Sequence, residues 1–308
     1  MKLISRRAFL HGASASAACA ALWSSTPSLL AHPSAAPPAA HPALPLGLPL
    51  GLQLYSVRDL LPKDYEGTLS QIGALGYQEM EAAGFFNHTP NEVRQAMDRA
   101  GLRCVGAHYS LAQLQPNLDE IMRFGKELGL EFIICAAPMP KSSSPANKGP
   151  LTLDDWRWNA EQFNGIGKKM HEAGLGFGYH NHMHEFRAEN GVLPYDVLLR
   201  LTDPAYVKME LDCGWMVLGG QSPADYLTRH PTRFYMLHVK DFKFEGPVNP
   251  SAPPPSTELG RGSIDYRPIF EAAKKAPIEH AFIEQEEFDM APFEALRVDA
   301  EYMRGLKV

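Results

Sequence analysis

Three imidazoles and a carboxylate crowd the run Gly178-Tyr179-His180-Asn181-His182-Met183-His184-Glu185-Phe186. An apolar core asks for none of these groups, whereas holding a cation or moving protons asks for all of them. Three later runs share the design, each an apolar stretch ending on a ligand-type residue: Val207–Asp212, Phe234–His238 and Ala281–Glu284. Taken singly, each has a plainer reading. Asp212 can cap a turn, a lone His238 can be a satisfied core residue, and Glu284 can end a strand. Taken together, His180, Asp212, His238 and Glu284 form a mixed nitrogen and oxygen set without thiolate. Such a set suits one divalent ion (Mn, Co, Fe, Zn or Mg) and differs from a closed structural zinc site. Coordination positions left over suit two neighbouring oxygens of a polyol or ketose, so a small sugar is the expected partner.

Other groups cluster near these in sequence or in expected position. His182, Glu185 and Lys240 are candidate acids or bases. Glu81 and His108 close strands of their own and are expected to meet the sugar, Trp215 to stack on it, and Arg261 to clamp its hydroxyls or a phosphate.

Residues placed this way need an architecture that gathers strand ends. From Gly51 onward, short apolar runs alternate with longer amphipathic ones, which predicts βα units and a parallel sheet. Eight strands and eight helices can be counted. Gly76, Gly101, Gly129 and Gly174 stop four of the helices just before the next strand. The expected fold is α/β, a single (β/α)8 TIM barrel over residues 51–308. A barrel brings the C-terminal ends of all its strands to one face. Asp212 is expected to lead directly into a glycine turn, and the third helix to begin near Asn117.

Composition narrows the rest. A net charge of −6 leaves no basic footprint, so nucleic acid is not expected as a partner. Ser5-Arg6-Arg7-Ala8-Phe9-Leu10 opens an Ala/Ser-rich apolar run to residue 31, which reads as a twin-arginine signal peptide and places the mature protein in the periplasm. The run is too short and broken to span a membrane. Residues 32–50 read as an extended Pro/Ala-rich linker. The mature chain keeps Cys104, Cys135 and Cys213, an odd number in or beside predicted strands, which points to buried thiols and not a disulfide framework. Oligomeric state has no signal here.

On the runs Tyr179-His180-Asn181-His182, Leu211-Asp212-Cys213-Gly214-Trp215, His238-Val239-Lys240-Asp241 and Ile283-Glu284-Gln285-Glu286, the chain from Gly51 onward resembles the xylose isomerase-like barrel superfamily of sugar phosphate isomerases and epimerases. The resemblance implies a metal-dependent sugar enzyme that abstracts a proton next to a carbonyl. It extends to inosose dehydratases, 3-keto-glycoside lyases and apurinic-site endonucleases; the last fit poorly with the charge and the export signal. A non-catalytic sugar-binding barrel would have lost the ligands. In the ketose epimerases the fifth strand gives a Glu where His180 stands, while Asp212, His238 and Glu284 match the other three ligands. Epimerisation there uses two carboxylates on opposite sides of the substrate carbon, and here only Glu284 occupies a usual place. That departure shifts the expectation toward elimination beside a ketone, in which acid and base differ. Phosphorylated sugars are scarce outside the inner membrane, so a free or oxidised sugar or a glycoside is expected.

Overall fold

The computed structural model describes residues 44–142, 149–246, 248–249 and 252–308. The expected signal peptide, Cys19 and most of the expected linker lie outside the described residues.

Ten strands are present among them: β1 (Gly51–Gln53), β2 (Glu79–Ala82), β3 (Arg103–Ser110), β4 (Phe132–Ala137), β5 (Gly176–His180), β6 (Lys208–Asp212), β7 (Phe234–Val239), β8 (Asp241–Phe242), β9 (Ser256–Thr257) and β10 (His280–Ile283). All but β8 and β9 close a barrel in the order β1-β2-β3-β4-β5-β6-β7-β10, each pair parallel. The short strands β8 and β9 pair antiparallel just beyond the end of β7.

Local chemistry starts and stops the helices between them. For the helix Pro90–Ala100, Thr89 Oγ1 accepts from the Glu92 N–H while the Thr89 N–H donates to the Glu92 carboxylate, a reciprocal cap that satisfies two otherwise unpaired donors. Gly101 then ends it at φ 68°, a left-handed conformation that glycine adopts without strain. Two elements differ from expectation. The third helix runs Leu111–Leu128, since a Ser110–Gln113 capping box starts it ahead of Pro116 and the helix only kinks at Asn117. Asp212 leads into a short helix, Cys213–Leu218, and not a turn.

The end of the expected linker also belongs to the fold. Residues Pro45–Gly47 form a 3-10 turn packed against the helix Tyr266–Ala273, and Leu50 is buried in the core. The apolar side chains of this stretch, including Leu44, Leu46 and Leu48, are what hold it there.

Because strand residues alternate between faces, the barrel interior is built in layers. Glu79, Arg103 and His280 close the N-terminal end, with Glu79 accepting from His280 Nδ1 at 2.9 Å and ion-paired to Arg103. Above them Val105, Phe132, Ile134, Met236 and Phe282 fill the middle. Gly178 lacks a side chain at this level because a Cβ would stand 2.7 Å from Ile134 Cδ1. The upper half of the interior is polar. Between strands and helices lies a larger apolar core, in which Cys104, Cys135 and Cys213 are buried free thiols.

Candidate active site

Successive strands deliver the four expected ligand residues to one place. His180 ends β5, Asp212 ends β6, His238 is the penultimate residue of β7, and Glu284 directly follows β10. Each offers one ligand atom, all within 4.8 Å of one another. Asp212 Oδ2 lies 4.0 Å from both His180 Nε2 and His238 Nδ1, and Glu284 Oε2 lies 3.0 Å from His238 Nδ1. Asn181 locks the spacing between β5 and β6: its amide donates to Asp212 O at 3.2 Å and accepts from Asp212 N at 3.1 Å.

The Asp212 carboxylate divides its two oxygens between structure and site. Oδ1 accepts from the Trp215 N–H at 2.7 Å and caps Cys213–Leu218; Oδ2 is buried with no hydrogen-bond partner. Burial pushes the Asp212 carboxyl up to about 7. A fully buried carboxylate oxygen with no hydrogen bond, facing a second carboxylate and two imidazole nitrogens, is the environment a divalent cation relieves, so these residues fit a metal.

Lys240 supplies one positive charge. Its ammonium is fully buried, 3.1 Å from Glu284 Oε2 and 3.8 Å from Asp212 Oδ2, bonded to Glu286, and 4.8 Å from the centroid of the Trp215 ring. Burial alone would favour the neutral amine, but Glu284, Asp212 and Glu286 outweigh it and keep Lys240 charged. Tyr266 fixes the backbone, its hydroxyl donating to Lys240 O and accepting from Lys240 N.

One strand step deeper lies a second polar layer. Glu210 Oε2 is 2.8 Å from His108 Nε2, 3.0 Å from His180 Nδ1 and 3.3 Å from His238 Nε2. Glu81 Oε2 is 2.8 Å from His238 Nε2 and 2.9 Å from His108 Nε2, and accepts from the Gln53 amide at 2.6 Å. Burial would lower His108, yet Glu81 and Glu210 bring it up to about 9. His180, crowded by burial and by His238, is down to about 3. His108, His180, Glu210 and His238 also lie close enough together to hold an ion. In this lower group one oxygen, Glu210 Oε2, already lies within 3.3 Å of a nitrogen of each of the three imidazoles.

The remaining expected residues separate. The His182 ring lies 4.9 Å from that of His180 and 6.1 Å from that of Trp215, at the rim of the tetrad; burial and the neighbouring His180 and Lys240 push it well below the usual imidazole range. Three others depart from expectation. Glu81, expected to meet the sugar, is wholly buried, with one oxygen engaged by His238, His108 and Gln53. Glu185 turns away from the tetrad, accepting from Tyr179 OH at 2.5 Å and the His182 N–H at 3.0 Å; burial brings it up to about 7. With His182 it lines a cavity of about 770 Å³ that also includes Pro138, Leu151 and Trp156. Arg261 is half-exposed and pairs with Glu258 at 3.4 Å, on a turn whose Gly260, Gly262 and Ile264 N–H groups donate to Asp241.

Glu210 and Glu286 carry contacts that the sequence reading did not assign. The signal for Glu210 was its place two residues before Asp212, hence on the same inner face.

A family model described as xylose isomerase-like TIM barrel matches residues 69–306. An inosose dehydratase of Geobacillus thermodenitrificans is 24% identical over 269 residues, spanning 78% of this chain and 89% of that one. A solved sugar phosphate isomerase/epimerase from Parabacteroides distasonis is 25% identical at a TM-score of 0.67, covering 82% of this chain and 96% of that one. A barrel solved with a bound zinc atom superposes with a TM-score of 0.63 over 83% of this chain and 98% of that one; at 10% identity the likeness is one of fold.

Proposed function

Because the chain belongs to the xylose isomerase-like TIM barrel family, we propose that it is a divalent-metal-dependent enzyme that abstracts a proton next to the carbonyl of a sugar or keto-sugar and completes an elimination. The observation that carries this is the convergence of His180, Asp212, His238 and Glu284 around Asp212 Oδ2, a buried oxygen with no hydrogen-bond partner. A divalent ion held there supplies Lewis acidity toward a carbonyl oxygen and its neighbouring hydroxyl.

The chain's own groups divide the proton work. His182, a neutral imidazole at the rim, takes the proton from the carbon beside the carbonyl. The released electron pair forms a C=C bond as the adjacent C–O bond breaks. Lys240, an ammonium, donates toward the departing oxygen, and Glu284 and Glu286 hold it in place. Trp215 walls the same space. Arg261, the residue expected to clamp a phosphate, pairs with Glu258 instead, which favours a free or oxidised sugar or a glycoside.

Similarity to inosose dehydratases supports elimination. Similarity to a sugar phosphate isomerase/epimerase supports a second reading, in which the proton returns to the same or a neighbouring carbon. Metal-loaded protein incubated in D₂O with ketoses, inososes and 3-keto-glycosides separates them. Loss of water or aglycone establishes elimination, and deuterium in recovered sugar without such loss establishes isomerisation. Neither outcome on any member of the panel would refute the proposal. The arginine pair Arg6-Arg7 supports a further part of it, export to the periplasm by the twin-arginine route.

A further inference from the structure

Two metal-facing imidazoles in the upper layer offer different nitrogens. His180 turns Nε2 toward Asp212, and His238 turns Nδ1 toward Asp212 and Glu284. A neutral imidazole has one N–H and one lone pair, so each ring can present a lone pair upward only if its proton sits on the lower nitrogen. Those lower nitrogens, His180 Nδ1 and His238 Nε2, both point at Glu210 Oε2. β6 explains why one oxygen reaches both rings. Glu210 stands opposite His180 in the β5–β6 register, and Asp212, two residues on, stands opposite His238 in the β6–β7 register. Glu210 therefore sits beneath the gap between the two rings, fully buried, with its other oxygen unpartnered.

Resting on the metal reading above, we propose that Glu210 is the positioning residue of the metal centre. Its Oε2 accepts from His180 Nδ1–H at 3.0 Å and lies 3.3 Å from His238 Nε2, so it fixes the His180 tautomer and reinforces the opposite one in His238. On the His238 side Glu81 holds the shorter bond to Nε2, at 2.8 Å. Among the described residues no other carboxylate contacts His180 Nδ1, so the hydrogen bond that sets its tautomer comes from Glu210. Metal-bound histidines commonly donate their second N–H to a carboxylate, and removing that partner typically weakens metal binding by about 10–100-fold. Here the removal leaves His180 Nδ1 without its carboxylate and takes one of two from His238 Nε2.

The test titrates Zn²⁺ and Co²⁺ into metal-free full chain against a chelating indicator, for wild type and Glu210→Gln, with folding checked by circular dichroism. Glu210→Gln keeps the side-chain volume but removes the charge and turns one oxygen into a donor. The expected result is a loss of affinity of about 10–100-fold, with an altered visible spectrum of the Co²⁺ form. Equal affinity and an unchanged spectrum would overturn the proposal. Should Glu210→Gln not fold, ¹⁵N-histidine NMR of the zinc-loaded wild type decides. His180 protonated at Nδ1 and His238 at Nε2 sustains the assignment, and any other pair of tautomers overturns it. Failure of the wild type to bind either ion would instead sink the metal reading itself.

Discussion

Asp212 joins a cap and a candidate ligand in one carboxylate, so two substitutions can pull the roles apart. Asp212→Asn keeps an oxygen for the Trp215 N–H and loses the charge; Asp212→Ala loses both. In metal-free protein the folded state holds the Asp212 proton more tightly than the unfolded chain, since burial raises its carboxyl from 3.8 to about 7. Stability contributed by this group therefore falls as pH rises between those values. At pH 8 the ionised carboxylate costs up to about 4 kcal/mol, at about 1.4 kcal/mol for each tenfold change in proton affinity. Losing the cap costs about 1 kcal/mol. Without metal at pH 8, the expected order of stability is Asn variant, then Ala variant, then wild type. At pH 4 the Asn variant should match wild type, with the Ala variant about 1 kcal/mol below both. Zinc at 100 times its dissociation constant should add about 2.7 kcal/mol to the wild type and little to either variant. Urea unfolding in chelator and then in Zn²⁺, at each pH, reads all of this. An Asn variant less stable than wild type at pH 8 without metal, or one that gains as much from zinc, would refute the reasoning.

Lys240→Met should keep zinc, measured by metal content, yet lower turnover by about 100-fold or more, as removal of a charge stabiliser does. Its metal-free form should be about 3–5 kcal/mol less stable, because Glu284 and Glu286 lose their buried counter-charge. At the barrel floor, burial would raise Glu79 and lower His280, but their mutual hydrogen bond reverses both, aided by Arg103 at Glu79 and by Glu131 at His280. Glu79 then stabilises above its unfolded value of 4.5 and loses this as pH falls, while His280 stabilises below 6.5 and loses it as pH rises. His280→Gln should accordingly cost more stability at pH 6 than at pH 9 in denaturant titrations. Replacing Arg6 and Arg7 together by Lys should leave precursor in the cytoplasm on cell fractionation; undiminished export would point to the general secretory route.

Strand alternation was enough to read the barrel and the upper layer of the site, because a barrel turns "last residue of an apolar run" into "residue on one face". Depth along a strand was harder. Glu81 and Glu210 sit on the inner face as Glu284 does, and only the stagger of neighbouring strands places them under the histidines instead of beside a substrate. Loop residues were harder still. Arg261 and Glu185 take their directions from Glu258, Tyr179 and the His182 backbone, none of which a local pattern announces. Gly214 misled in a different way, reading as a turn signal when it is a contact residue. A Cβ there would meet Lys240 O at 2.7 Å, so glycine lets Cys213–Leu218 lie against the end of β7.

The position of His180 carries the chemistry furthest. On ligand type alone, a neutral imidazole in place of a carboxylate leaves more positive charge at the centre. The geometry moderates this, since Glu210 lies 3.0 Å behind His180 and returns negative charge one layer down. This carboxylate sits one layer below the tetrad, where Glu210 is fully buried among three imidazoles. What remains at the rim on the β5 side is His182, and across from it Lys240 with Glu284 and Glu286. A neutral acceptor thus faces a cationic donor. Removing a proton and returning it to the other side of one carbon favours two like groups, whereas taking a proton from carbon and delivering one to a departing oxygen favours two unlike ones. A rim with unlike groups, over a buried carboxylate layer, supports the proposed elimination over isomerisation.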